Sequence, residues 1–166
     1  MRYLNKIILI NSASVKYANV NVDGNVHFIG TQGVGKSTLL RALLFFYNAN
    51  QQKLGIPVGK KSFVEFYFPF QDSYIIYEVV RETGAYCILA FKSQGRVCFR
   101  FINSAYDKQY FIDENGRAFE SWEKQKTAFG KEISYTKKID RYEDYRNIIY
   151  GNSQGVGIEF RKYSIL

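Results

Sequence analysis

One stretch constrains the folding of this chain more than any other: Gly30-Thr31-Gln32-Gly33-Val34-Gly35-Lys36-Ser37. It fits G-x-x-x-x-G-K-[ST] without a mismatch. Its glycines let the backbone curl until successive N–H groups point inward at a phosphate. Such a loop needs a strand entering it and a helix leaving it. Val26 to Ile29 reads as the strand. From Lys36 to Tyr47 the spacing predicts the helix. Leu39, Leu43 and Phe46 fall at i, i+4 and i+7, and Leu40, Leu44 and Tyr47 repeat the series one residue later. An apolar arc that wide predicts a helix buried on most sides. Its positive N-terminal end would face the loop. Lys36 is placed to reach β- and γ-phosphates as a point charge, and the Ser37 hydroxyl to ligate Mg²⁺. The bland alternative is a glycine-rich turn beside an exposed lysine.

Around this loop, Ile7 to Ile10 reads as a short buried strand, Asn21 to Asn25 as turn chemistry and Asn48 to Pro57 as a polar loop. Aromatic residues make up 17% of the chain, and rings favour pleated, half-buried surfaces. Accordingly Phe63–Phe68, Tyr74–Val80, Tyr86–Phe91 and Val97–Ile102 are four strand candidates. Short polar connectors between them predict an antiparallel meander. In the last, Val97, Phe99 and Phe101 share one face and Arg96, Cys98 and Arg100 the other, which predicts one buried and one wet face. A hairpin is expected around Asp113-Glu114-Asn115-Gly116 and a helix from Phe119 to Phe129. Lys131 to Leu166 is polar and mixed, with a loop at 151–157.

Several function classes fall away. A lone His27 leaves no His-rich metal site. Cys87 and Cys98 are too few for a disulfide framework, and the apolar run at the N-terminus is too short for a signal core or a membrane span. A reduced, cytoplasmic protein with no membrane is the expectation. The net charge of +8 divides evenly, nine bases and five acids in residues 1–83 against fourteen and ten in 84–166. It fits a nucleic-acid partner or a merely solvated surface. The nearest thing to an apolar strand ending in a catalytic acid is Tyr74-Ile75-Ile76-Tyr77-Glu78, which reads as plain strand. Asp113 to Gly116 matches D-x-x-G, but no N-K-x-D guanine reader accompanies it, and there is no S-G-G signature.

Gly30 to Tyr47 resembles the P-loop and first helix of SMC/RecF-type ATPases, with Leu39, Leu40, Ala42, Leu43 and Phe45 matching. Gln32 stands where that family usually has Asn. The segments Tyr145–Gly151 and Glu159–Leu166 are similar to divergent bacterial SMC-like proteins, among them relatives of MukB and of anti-plasmid defence complexes. The resemblance implies an α/β fold: a P-loop NTPase half-head with a mixed sheet, one buried P-loop helix and an antiparallel β-meander subdomain. It divides the chain into a core (1–59), a β-subdomain (60–116) and a helical, Q-loop-like region (117–166), together the N-terminal part of a longer coiled-coil protein. ATP and Mg²⁺ would be held by Gly30, Thr31, Gln32, Gly33, Val34, Gly35, Lys36, Ser37 and Thr38. Gln154 would be a Q-loop ligand of Mg²⁺, or else a polar loop residue. No catalytic residue is assigned. Hydrolysis would await a C-terminal lobe of the same protein and a second head joined through ATP, and DNA is the implied partner. Two alternatives stand beside this: a small self-contained P-loop kinase or NTPase, with parallel strands alternating with helices after Lys36, and a non-enzymatic module whose sheet binds a partner or nucleic acid.

Overall fold

The computed structural model describes residues 2–22, 35–48 and 62–150. Strands β1 (Tyr3–Ser12) and β2 (Val15–Asn21) form a hairpin, with Ile7 opposite Val20 and Leu9 opposite Ala18. Its turn uses Ala13 (φ 53°) and Ser14 (φ 62°), both left-handed without being glycine. The Ala13 N–H donates to the Phe66 carbonyl at 3.0 Å and pins the turn. Strands β3 (Tyr74–Arg81), β4 (Gly84–Ser93) and β5 (Arg96–Ile102) form the expected meander. The β4–β5 turn has the residues its conformation requires, Gln94 (φ 52°) followed by Gly95 (φ 77°).

All five strands belong to one sheet of order β2-β1-β3-β4-β5, and every pairing is antiparallel. This overturns the expected fold. The chain is not a P-loop half-head with a mixed sheet: no described strands run parallel, and the meander is the continuation of β1, not a separate subdomain. The cause is local. β1 turns straight back into β2, and its other edge takes β3 from Tyr3–Val80 to Ile10–Tyr74. The expected strand Val26–Ile29 lies outside the described residues.

Among the described residues four α-helices join the sheet: α1 (Lys36–Asn48), α2 (Phe63–Tyr67), α3 (Trp122–Phe129) and α4 (Tyr142–Ile149), with a 3₁₀ turn at Lys108–Tyr110. The expected strand at Phe63–Phe68 is therefore helix. Ser62 caps it by accepting the Glu65 N–H at 3.2 Å, and the Ser62 hydroxyl donates to the Glu65 carboxylate at 3.0 Å. Ser-x-x-Glu before an apolar run is a helix-start signal, and it outweighs the β preference of the rings.

The sheet is covered on both faces. One packs Ile7, Leu9, Ile75, Tyr77, Ile88 and Phe99 under α1, α2 and α4; the other packs Ile8, Ile10, Ile76, Leu89 and Ile102 under the segment from Tyr106 to Tyr135, including α3. The expected wet face of β5 is thus corrected: Cys98 and Ile102 are buried and Arg100 is half-buried. Beyond β5, residues 134–139 add an irregular strip. Phe99 and Ile139 exchange N–H···O bonds of 2.8 Å, and the Thr136 hydroxyl takes the Phe101 N–H at 3.0 Å. That strip keeps β5 from being an open sheet edge.

A row of rings crosses the first face. Tyr67 stacks on Phe63 (4.3 Å between centroids), Phe63 on Phe45 (4.4 Å), Phe45 on Phe99 (5.8 Å) and Phe99 on Tyr145 (4.1 Å). Each contact contributes roughly 0.5–1.5 kcal/mol beyond area burial. The row joins α2, α1, β5 and α4, so the aromatic residues serve helix-on-sheet packing as much as the strands. The helix expected over Lys36–Tyr47 is present but not buried on most sides. Leu39, Ala42, Phe45 and Phe46 are buried, while Leu40 (44%) and Tyr47 (43%) are exposed. A helix on one face of a sheet leaves its outer side open.

Candidate functional site

α1 begins where the glycine-rich motif ends. The Leu39 N–H donates to the Gly35 carbonyl at 3.1 Å, so helical bonding starts at Gly35. The amides of Lys36, Ser37 and Thr38 precede that bond and have no intrahelical acceptor. Lys36 and Ser37 are exposed and Thr38 is half-buried. The first turn carries no acidic side chain, so no carboxylate of the helix offsets its positive end. Amides without an intrahelical acceptor, an ammonium group and a hydroxyl share this turn, an arrangement suited to an anion. Gly30, Thr31, Gln32, Gly33, Val34 and Gln154 lie outside the described residues.

The placement of this turn depends on residues that no motif singled out. Four tyrosine hydroxyls donate to main-chain carbonyls of α1: Tyr67 to Thr38 (2.5 Å), Tyr77 to Ala42 (2.7 Å), Tyr145 to Phe46, and Tyr150 to Tyr47 (2.6 Å). Thr38, Ala42 and Phe46 are four residues apart and so form one stripe of the helix. Tyr67 fastens the first turn itself. The carbonyls of Phe46 and Tyr47 belong to the last turn, where a helix has no N–H to offer them. Burial pushes the phenols of Tyr67, Tyr77 and Tyr145 above their ordinary range, against a smaller opposing pull from Arg41 on Tyr67. All three therefore remain protonated donors at neutral pH.

Other candidates resolve as structure. Glu78 lies within β3, and its side chain is on the sheet face opposite Tyr77 and α1. It is buried and accepts the Asn5 amide and the Tyr106 N–H, each at 2.7 Å, clamping β1 and the 106 segment to β3. Asp113 to Gly116 is a turn. Asp113 Oδ1 accepts the N–H groups of Asn115 and Arg117 at 2.8 and 3.0 Å, and Gly116 has φ 80°. Cys87 and Cys98 are both free, and burial raises both thiols. Among the described residues no three His, Cys, Asp or Glu side chains gather as a metal site, and no helix is long and apolar enough to cross a membrane.

No curated protein and no solved structure matches the chain. A family model does, over residues 8–165, almost the whole length, including the motif, most of the sheet and the four helices of the described residues. The chain belongs to that family, DUF3584, described as proteins of unknown function.

Proposed function

We propose that this chain binds ATP with Mg²⁺ through residues 30–38 and is the nucleotide-binding part of an SMC-like ATPase acting in DNA maintenance, repair or anti-plasmid defence. The observation that carries the reading is the complete G-x-x-x-x-G-K-S motif running directly into an exposed, carboxylate-free first turn of α1. Lys36 neutralises β- and γ-phosphate charge, the amides of 35–38 cradle the phosphates, and Ser37 holds Mg²⁺. The buried tyrosines hold the turn in place while the nucleotide arrives. Hydrolysis belongs to an assembly. A C-terminal lobe and a second head complete the site, with ATP binding them together and hydrolysis releasing them. DNA is the partner of that cycle.

ATP titration with and without Mg²⁺ tests the reading. The chain binds ATP–Mg²⁺ and turns over almost none of it. Lys36→Ala abolishes binding without altering the circular dichroism spectrum, since Lys36 is exposed. ATP affinity unchanged in that variant refutes the cradle, and robust hydrolysis by the chain alone refutes the divided site. DNA binding is tested by salt titration, in which affinity falls steeply as salt rises. No DNA binding at low salt leaves the +8 charge as a matter of solubility.

A further inference from the structure

The net charge divides evenly along the chain, but the fold gathers bases at one edge of the sheet. The β4–β5 hairpin, residues 84–102, holds Lys92, Arg96 and Arg100 and no acid. The strip that closes β5, residues 134–139, holds Lys137 and Lys138 and again no acid. The fold joins the two segments. Ser93 is opposite Arg96, and the Lys138 ammonium donates to the Ser93 hydroxyl at 3.3 Å. Lys92 is the next residue back on β4, opposite Val97. Burial raises the Cys98 thiol while Lys138, Arg96 and Arg100 pull it down and Asp140 opposes them, so these charges surround one side chain. Arg100 is turned inward over the Trp122 ring, 4.2 Å from its centroid. Arg96, Lys137 and Lys138 are exposed and Lys92 is half-buried. Among the described residues none of these four is in an ion pair. Acids stand only around this edge. Glu132 and Asp140 flank the strip, and Glu143 on α4 is engaged by Arg141 at 3.3 Å, with Asp144 beside it. On the α3 side, Glu120 lines a cavity that Lys92 also lines, and Glu123 is held by Lys126 at 3.0 Å.

Bases gathered without acids repel one another, a cost that an anionic partner removes. We infer that Lys92, Arg96, Lys137 and Lys138 form the surface that grips the phosphate backbone of DNA, without reading its sequence. The inference rests on the DNA part of the reading above and names the surface for it; it does not depend on the nucleotide loop. Lys92, Arg96 and Lys138 belong to three neighbouring strands, which lie about 4.8 Å apart, so their cations form a short row. A phosphodiester backbone carries its charges at regular, comparable intervals. The Ser93 hydroxyl and the exposed Gln94 amide stand beside the row as neutral donors of the kind that bind phosphate oxygens.

The test is fluorescence anisotropy of a short labelled DNA duplex of arbitrary sequence, titrated with the 166-residue chain over a range of salt. Arg96→Gln and Lys138→Gln each lower the slope of log affinity against log salt by about one. Arg96→Glu with Lys138→Glu weakens binding by at least about tenfold at low salt. Lys16→Glu with Lys108→Glu makes the same change of net charge beside β2, at the opposite edge of the sheet, and leaves affinity within about twofold. Circular dichroism checks that each variant is folded. If the doubly reversed variant is not, Lys137→Glu, at an exposed position, takes its place and weakens binding by several fold. DNA affinity that survives the reversals, or falls equally with the Lys16 and Lys108 pair, overturns this surface and leaves the DNA reading standing. Absence of DNA binding by the unaltered chain at low salt overturns both. Tighter binding of an RNA duplex than of the DNA overturns the assigned partner. ATP affinity unchanged by Lys36→Ala refutes the phosphate cradle and leaves this surface untouched.

Discussion

The most consequential single residues are tyrosines whose rings pack in the core and whose hydroxyls reach the backbone of α1. Their energetic weights differ for a definable reason. The Ala42 carbonyl lies mid-helix and already accepts from the N–H four residues on, so the Tyr77 hydroxyl is its second donor. The Phe46 carbonyl lies in the last turn and depends on Tyr145. Tyr77→Phe should therefore cost about 1 kcal/mol, and Tyr145→Phe about 2 kcal/mol because it leaves a buried acceptor unmade. Denaturant unfolding of the two variants checks this; equal losses would refute the distinction. Neither hydroxyl role is visible in the sequence, where Tyr77 is one ring in an apolar run and Tyr145 stands in a polar stretch. Lys36 is the opposite case. Its candidate role follows from its neighbours in sequence, and the structure adds only that it is exposed at a helix start.

At the scale of elements, local signals and tertiary demands agreed in β3, β4, β5, α1 and α3, where periodicity and turn residues point the same way. Elsewhere they disagreed. Phe63–Tyr67 carries β-favouring rings, yet its Ser62–Glu65 capping box sets a helix. Ser62→Ala should lower stability by about 1 kcal/mol, and retention of full stability would mean that packing of Phe63 and Tyr67 alone holds α2. The hairpin of β1 and β2 has no local sequence signal, because Ala13-Ser14 has none of the Gly, Asn or Asp that supply positive φ cheaply. Tertiary contacts impose the turn: Ala13 is buried and hydrogen-bonded to Phe66. Ser14 is exposed, so Ser14→Gly should relieve left-handed strand-turn strain and raise stability by about 0.5 kcal/mol, the strain relieved exceeding the added chain entropy. A lower melting temperature for this variant would show that Ser14 has a stabilising contact beyond its backbone conformation. The helix α4 is a further case: it lies in a polar stretch, and it packs through Tyr145 and Ile149, with Ile148 half-buried beside them.

At the scale of the molecule, a five-stranded antiparallel sheet with two covered faces buries many neutral phenols. Those of Tyr67, Tyr77 and Tyr145 have raised pKa values when folded, against an ordinary value of 10.0. Between that value and their folded ones, the folded chain binds more protons than the unfolded chain. Their contribution is complete below about pH 10 and is lost as pH rises through the folded range. The melting temperature should therefore fall steeply above about pH 10, and tyrosinate absorbance should rise with unfolding, not before it. Smooth titration of all tyrosines in the folded protein would contradict their burial.

Local patterns along the chain fix the G-x-x-x-x-G-K-S motif, the helix behind it and the three-stranded meander, since these rest on contacts and turns close along the chain. Only the tertiary structure decided that β1 joins the meander in one antiparallel sheet, that both of its faces are covered, and which tyrosines hold α1. Those depend on pairings between residues as far apart as Tyr145 and Phe46. A hydroxyl donated to a backbone carbonyl leaves no periodicity in the chain from which it can be read, and a strand's second partner is chosen by the surface that remains to be buried.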